Sequence, residues 1–246
     1  MQRISETVKH LLIINCIFFF ASLIFGEITY DLFALHFPES PKFQYWQVIS
    51  HMFMHGDFSH ILFNMIGLWM FGTPMEQIWG KNKFMFYYLS TGFGAAFLQI
   101  ILYYYQVNQA NEYFSDLNLS SSIISEFYIS SKLPSDIINN VDINILKSAF
   151  SAYNSVLVGA SGALYGVLVA FAMSFPNTQL MLLFPPVPIK AKYLVPILIF
   201  ADLFFGLSSY SIGPIAHFAH LGGALTGFLM LYYWRRTQFD KNRWDK

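Results

Sequence analysis

The chain has 246 residues and no net formal charge; 55% of its residues are hydrophobic, 19% aromatic and only 11% charged. A soluble domain carries about 25% charged residues, so the composition excludes a soluble enzyme, a disordered protein and a nucleic-acid binder that needs a basic stripe. The single cysteine, Cys16, excludes an internal disulfide framework and a cysteine-based zinc site, which leaves an all-α integral membrane protein with one domain, 1–246.

A membrane helix needs about 20 mostly apolar residues. In chain order the candidate spans are 11–26, 61–79, 84–105, 156–174, 193–207 and 215–234. Arg3 and Lys9 precede the first, as in a signal peptide, but no Ala-x-Ala site follows, so it reads as an uncleaved span. Segment 27–59 is rich in aromatics (Phe33, Phe37, Phe43, Tyr45, Trp46), which suit the headgroup level. It reads as an interfacial loop between the first two helices. Segment 106–152 reads as a polar, mobile outer loop. Pro185, Pro186 and Pro188 break the chain between the fourth and fifth spans.

The basic residues orient the bundle. With the N-terminus inside, Arg3, Lys9, Lys81, Lys83, Lys190, Lys192, Arg235, Arg236, Lys241, Arg243 and Lys246 lie inside; Lys42, Lys132 and Lys147 lie outside. Both termini are therefore expected in the cytoplasm, with a short basic tail at 235–246.

Polar groups inside spans are costly, and each marks a candidate site. Ser161 stands in Gly159-Ala160-Ser161-Gly162. The flanking glycines allow close approach of a bound peptide, and a serine needs a base to become a nucleophile. His220 offers one, with Gly223 and Gly227 forming a small-residue face that suits tight packing on Gly162 and Gly166. The bland alternatives are a serine bonded to the carbonyl one turn back and a buried neutral histidine. His60 and Asn64 share a face at i, i+4 and can both donate hydrogen bonds: either an oxyanion site or a polar pair joining two helices.

His51 and His55 are also i, i+4, but no His-Glu-x-x-His pattern is present, so structural hydrogen bonding is the better reading. Asp202, mid-span, would cost about 2.5–3.5 kcal/mol unless it is paired, protonated or near the interface. It is a candidate third member of a Ser–His–Asp set, yet nothing in the sequence places it beside His220. Cleavage is therefore expected to survive Asp202→Asn. His217, one turn before His220, lacks glycines at matching offsets and is set aside as the base.

Three motifs together resemble the rhomboid intramembrane serine proteases: HMFMHGDFSHILFN at 51–64, GASG at 159–162 and AHLGGALTG at 219–227. The resemblance implies a six-transmembrane-helix rhomboid-like bundle. Ser161 would be the nucleophile and His220 the general base, a dyad without a carboxylate. His60, Asn64 and the Ser161 backbone N–H would form the oxyanion hole. Tyr165 would pack on the His220 ring, and Glu76 would hold the interfacial loop. Gly159, Gly162, Gly223 and Gly227 would support the site.

The resemblance also implies membrane-anchored protein substrates cleaved in or near their transmembrane helices, a bacterial inner-membrane location and a site opening outward, with no cofactor, metal or nucleic acid. One departure is Trp46-Gln47, where the family often has Trp-Arg, and the long 106–152 segment looks like an insertion. A histidine-lined ion transporter and a non-proteolytic relative are the competing readings; the first leaves Ser161 and Asn64 unused, and the second would be expected to lack the serine or the histidine.

Overall fold

The computed structural model describes residues 3–134, 142–181, 187–208 and 216–241. The expected proline break at Pro185 and Pro186, part of the polar loop (135–141), the first residue of the sixth expected span and the end of the tail (242–246) lie outside them.

The described chain is mainly helical. Helix α1 (Glu6–Phe25) leads through Gly26 into α2 (Glu27–Phe33). After a loop, α3 (Gln47–Ser50) continues into a 3-10 turn at His51–Phe53. Helix α4 (Phe58–Gly67) passes through a π-helical turn, Leu68–Gly72, into α5 (Thr73–Trp79). Pro74, just after that turn, has no N–H to continue the ladder, which accounts for the widened winding.

Then come α6 (Lys81–Asp116), α7 (Ser121–Ser130), α8 (Ile143–Asn154) and α9 (Ser161–Ser174). Strands β1 (Gln179–Met181) and β2 (Pro188–Lys190) pair antiparallel, with Leu180 opposite Ile189. They precede α10 (Ala191–Leu207) and α11 (His217–Lys241).

Helices α6, α9 and α11 pack into the centre through small residues. A Cβ added to Gly162 would strike Ala95, and one on Gly166 would strike Thr91. Tyr87 Oη donates to the Gly166 carbonyl at 2.8 Å, tying α6 to α9. Near the C-terminal end of α5, Trp234 meets Trp79 edge-on at 5.7 Å, and Lys83 Nζ stands 4.4 Å from the Trp234 ring centroid. The outward faces are apolar: Ile17, Phe20, Leu23 and Ile24 on α1, Phe63 and Ile66 on α4, Phe200 and Phe204 on α10, and Leu225 and Leu229 on α11 are all exposed. Exposed apolar residues on four helices suit lipid, not water.

Three sequence expectations need correction. Residues Val156–Ala160 are not helical: Leu157 pairs with Leu35 through hydrogen bonds of 2.9 and 3.0 Å, and the helix begins at Ser161. The described part of 106–152 is largely helical rather than a mobile loop. Helix α6 has 36 residues and is therefore roughly 54 Å long at ~1.5 Å per residue, well beyond a bilayer core of about 30 Å. Phe114 on its extension packs with Phe127, Tyr128, Leu146 and Ala149 of α7 and α8, and with Phe37. Finally, Glu76 does not hold the interfacial loop. Its carboxylate accepts from Thr7 N and Val8 N at 2.9 Å and from Ser5 Oγ at 2.5 Å, capping α1 from another helix.

The loop itself is organised by Gln47, which is fully buried. Its Oε1 accepts from Gln44 N at 3.1 Å and His36 N at 3.3 Å; its Nε2 donates to the carbonyls of Asp31 at 2.9 Å and Lys42 at 3.0 Å. Trp46 Nε1 adds a bond to the Leu32 carbonyl at 2.7 Å. The glutamine after Trp46 thus has both of its polar atoms satisfied within the loop.

Candidate active site

Ser161 is the first residue of α9. The strand-like pairing of Leu157 with Leu35 and a bond from Gly159 N to the His51 carbonyl at 2.9 Å fix the approach to it. Gly159 has φ +118°, which side-chain-bearing residues rarely adopt. A Cβ there would also lie 2.7 Å from His60 Nε2 and 3.7 Å from Asn64 Nδ2. Glycine therefore serves both the turn and the approach of those two side chains. The first N–H groups of a helix have no intrahelical acceptor, so the Ser161 N–H is free of the α9 ladder.

His60 and Asn64 are placed by a helix start. Asp57 caps α4, its Oδ1 accepting from His60 N at 2.9 Å. His60 then falls on the first turn and Asn64 one turn below. Asn64 is buried, and its Nδ2 has no hydrogen-bond partner among the described residues.

His220 stands on the first turn of α11. Its Nε2 is 2.8 Å from Ser161 Oγ. Tyr165, one turn after Ser161, stacks on the His220 ring with centroids 4.3 Å apart and planes 9° from parallel. Gly223 lies against the backbone of Gly162, and Gly227 against that of Gly166 and the Tyr87 hydroxyl. The structure thus gathers Ser161, His220, Tyr165, Gly159, Gly162, His60 and Asn64 in one place, with Gly223 and Gly227 behind them. Glu76 belongs elsewhere.

Behind Ser161 lies a small cavity of about 10 Å³ lined in part by His51, Gly92, Gly159 and Ala219. His51 Nδ1 bonds the Gln47 carbonyl at 2.9 Å, and His55 Nδ1 the Phe53 carbonyl at 3.3 Å. Burial lowers both imidazoles, each to about 4, so both are neutral near pH 7.

One neighbour of His220 is not legible in the sequence. Asp202 of α10 places Oδ1 3.1 Å from His220 Nδ1 and 2.6 Å from His217 Nδ1. The available signal was a lone carboxylate in an apolar span; what was missing was the direction each helix faces.

The Rhomboid domain family model matches residues 42–109 and 127–237, and the chain belongs to that family. The unmatched stretch between covers the end of α6 and the start of α7. The chain is similar to "Rhomboid protein 1, mitochondrial" of Saccharomyces cerevisiae, 26% identical over 188 residues, which is 76% of this chain and 41% of that protein. It is similar to "Rhomboid protease AarA" of Providencia stuartii, 25% identical over 218 residues, 85% of this chain and 60% of the relative. It is also similar to "Rhomboid protease GluP" of Bacillus subtilis, 24% identical over 186 residues, 75% of this chain and 25% of the relative. The chain therefore spans only part of the length of these relatives. Family membership makes this a membrane protein.

Proposed function

We propose that the protein is an intramembrane serine endopeptidase that cleaves membrane-anchored proteins in or near their transmembrane helices. The observation that carries this reading is the 2.8 Å contact between His220 Nε2 and Ser161 Oγ at the start of α9, in an otherwise apolar bundle. The names of the Providencia and Bacillus relatives, both rhomboid proteases, support it.

Ser161 Oγ attacks the scissile carbonyl carbon while its proton passes to His220 Nε2. The oxygen of the tetrahedral intermediate is held by the Ser161 N–H, His60 and Asn64. The C–N bond then breaks, and His220 returns the proton to the leaving amine. Water, deprotonated by His220, hydrolyses the acyl-enzyme and frees Ser161. Peptide hydrolysis needs water, so the site must be a polar cavity open to one side of the bilayer.

In this reading α1, α4–α5, α6, α9, α10 and α11 are six spans, and Ser161, His60 and His220 lie near one surface of the bilayer. The eleven-to-three partition of basic residues makes that surface the outer one, with both termini in the cytoplasm. The segment before α4 lies in the interface, and residues 1–246 form one rhomboid-like domain whose 106–152 segment stands outside. The membrane is a bacterial cytoplasmic membrane in this reading; the yeast relative makes a mitochondrial membrane the alternative.

The test is a cleavage assay in liposomes with a membrane-anchored reporter, comparing wild type, Ser161→Ala and His220→Ala. Loss of cleavage in both variants is expected. Wild-type cleavage by either would overturn the assignment.

A further inference from the structure

We infer that Asp202 is a positioning carboxylate for the general base, so that the site works as Ser161–His220–Asp202 rather than as an unsupported pair. This rests on the protease reading above and deepens it. Asp202 is buried in α10, with only 7% of its side chain exposed. Its Oδ1 is 3.1 Å from His220 Nδ1, while the other ring nitrogen, Nε2, is 2.8 Å from Ser161 Oγ. The three groups form one unbroken chain across α10, α11 and α9.

A carboxylate can only accept. An imidazole nitrogen bonded to it must therefore carry the hydrogen, so Asp202 fixes His220 as the Nδ1–H tautomer. That leaves the Nε2 lone pair facing Ser161, the only arrangement in which Nε2 takes the hydroxyl proton. A histidine without such an acceptor divides between two tautomers, one of which cannot act as the base. The same carboxylate faces the imidazolium that exists while His220 holds the proton.

The Tyr165 side chain also interacts with Asp202 while its ring covers His220. His220 is thus held on one face by an aromatic ring and at one edge by a carboxylate.

His217 supplies the second donor, at 2.6 Å to the same oxygen. Two imidazole N–H groups one helical turn apart converge on one buried carboxylate, which answers how Asp202 is tolerated inside an apolar helix. That shorter bond also defines the competing view, in which Asp202 merely pins α10 to α11 through His217.

The protein in liposomes, assayed with a membrane-anchored fluorogenic reporter, separates these possibilities. The sequence alone leads to the expectation that cleavage survives Asp202→Asn; the contact with His220 reverses it, and the variant is expected to lower kcat at least 100-fold with KM changed less than threefold. His217→Gln is expected to lower kcat less than tenfold. Asp202→Asn within threefold of wild-type kcat, or equal losses in the two variants, would overturn the inference. Ser161→Ala keeps the two levels apart: if it still cleaves, the protease reading itself fails.

Should Asp202→Asn not fold, the wild-type protein decides by its ¹⁵N histidine spectrum. A protonated Nδ1 on neutral His220 supports the inference, and a protonated Nε2 overturns it.

Discussion

A side chain on Gly223 would collide with the carbonyl of Gly162, so the two helices that carry His220 and Ser161 touch backbone to backbone just below the site. The 2.8 Å contact above depends on that approach. Because the obstacle is backbone, it cannot swing aside. Gly223→Ala is expected to push α11 from α9, lower kcat at least 100-fold and reduce the melting temperature. Gly67→Ala is the control, since its Cβ would meet only Leu164 Cδ1 at an ordinary 3.6 Å and alanine favours a helix by ~1 kcal/mol. Wild-type cleavage by Gly223→Ala would show that the close approach is not required.

The Tyr165 ring restrains His220 by stacking, at 4.3 Å and 9°. Stacked aromatic pairs contribute about 0.5–1.5 kcal/mol beyond area burial, roughly a two- to tenfold effect on a reactive geometry. Tyr165→Phe keeps the ring and is expected to retain at least a third of wild-type kcat. Tyr165→Ala is expected to fall below the phenylalanine variant, by up to about tenfold from wild type. Equal kcat for the phenylalanine and alanine variants would argue against stacking as the operative contact.

Asn64 offers a case in which activity and stability should part. Its Nδ2 is buried without a partner among the described residues, and such a donor is itself destabilising by about 1–3 kcal/mol. Replacing it with leucine, of similar volume, removes that burden. Asn64→Leu is expected to melt at or above the wild-type temperature, while kcat falls about 10²–10³-fold through loss of one donor of the proposed oxyanion hole. Melting curves and single-turnover cleavage measure the two effects separately. A variant that loses stability but keeps kcat would reverse the assignment.

The long spans were legible because apolar runs near 20 residues have few alternatives. The nearness of Ser161 and His220 was legible because glycines mark where backbones must approach. Other features required knowledge of facing. Asp202 and His220 are 18 residues apart on different helices, and no periodicity tells which sides of α10 and α11 meet. The helical extension of α6 was hidden by averaging. Val107, Ala110 and Phe114 recur at helical spacing and are buried, but the Asn and Ser around them dominated the segment's composition. Residues Val156–Ala160 continue an apolar run, so only their pairing with Leu35 reveals that α9 starts later.

Glu76 caps the first turn of α1 with three hydrogen bonds, two from backbone N–H groups. Hydrogen bonds to a charged group contribute about 1.5–3 kcal/mol, and loss of a cap costs ~0.5–2 kcal/mol. Glu76→Ala is therefore expected to lower the melting temperature by several degrees. Because the cap lies away from Ser161, kcat of the folded fraction is expected to stay within twofold. Glu76→Gln, which keeps an acceptor but not the charge, should fall between. A drop in kcat without a change in melting would instead tie Glu76 to the reaction.

His51 links pH to stability. Its ring is buried, its Nδ1–H donates to the Gln47 carbonyl, and its own carbonyl accepts from Gly159 N, next to the site. Burial holds the folded-state value at about 4, below the ordinary 6.5. Between these values the unfolded chain binds more protons than the folded one, so stability falls as pH falls from 6.5 towards 4 and is fully present above 6.5. His55, also lowered to about 4 by burial, acts in the same direction, and His36 is lowered too. Most of this window lies above the ordinary carboxylate range, which separates it from acid effects on Asp and Glu. His51→Gln supplies an uncharged amide in place of the imidazole and is expected to give a shallower decline in melting temperature between pH 6.5 and 4.5. His55 and His36 would contribute to the remaining slope. If the variant and wild type decline in parallel, protonation of His51 does not limit acid stability.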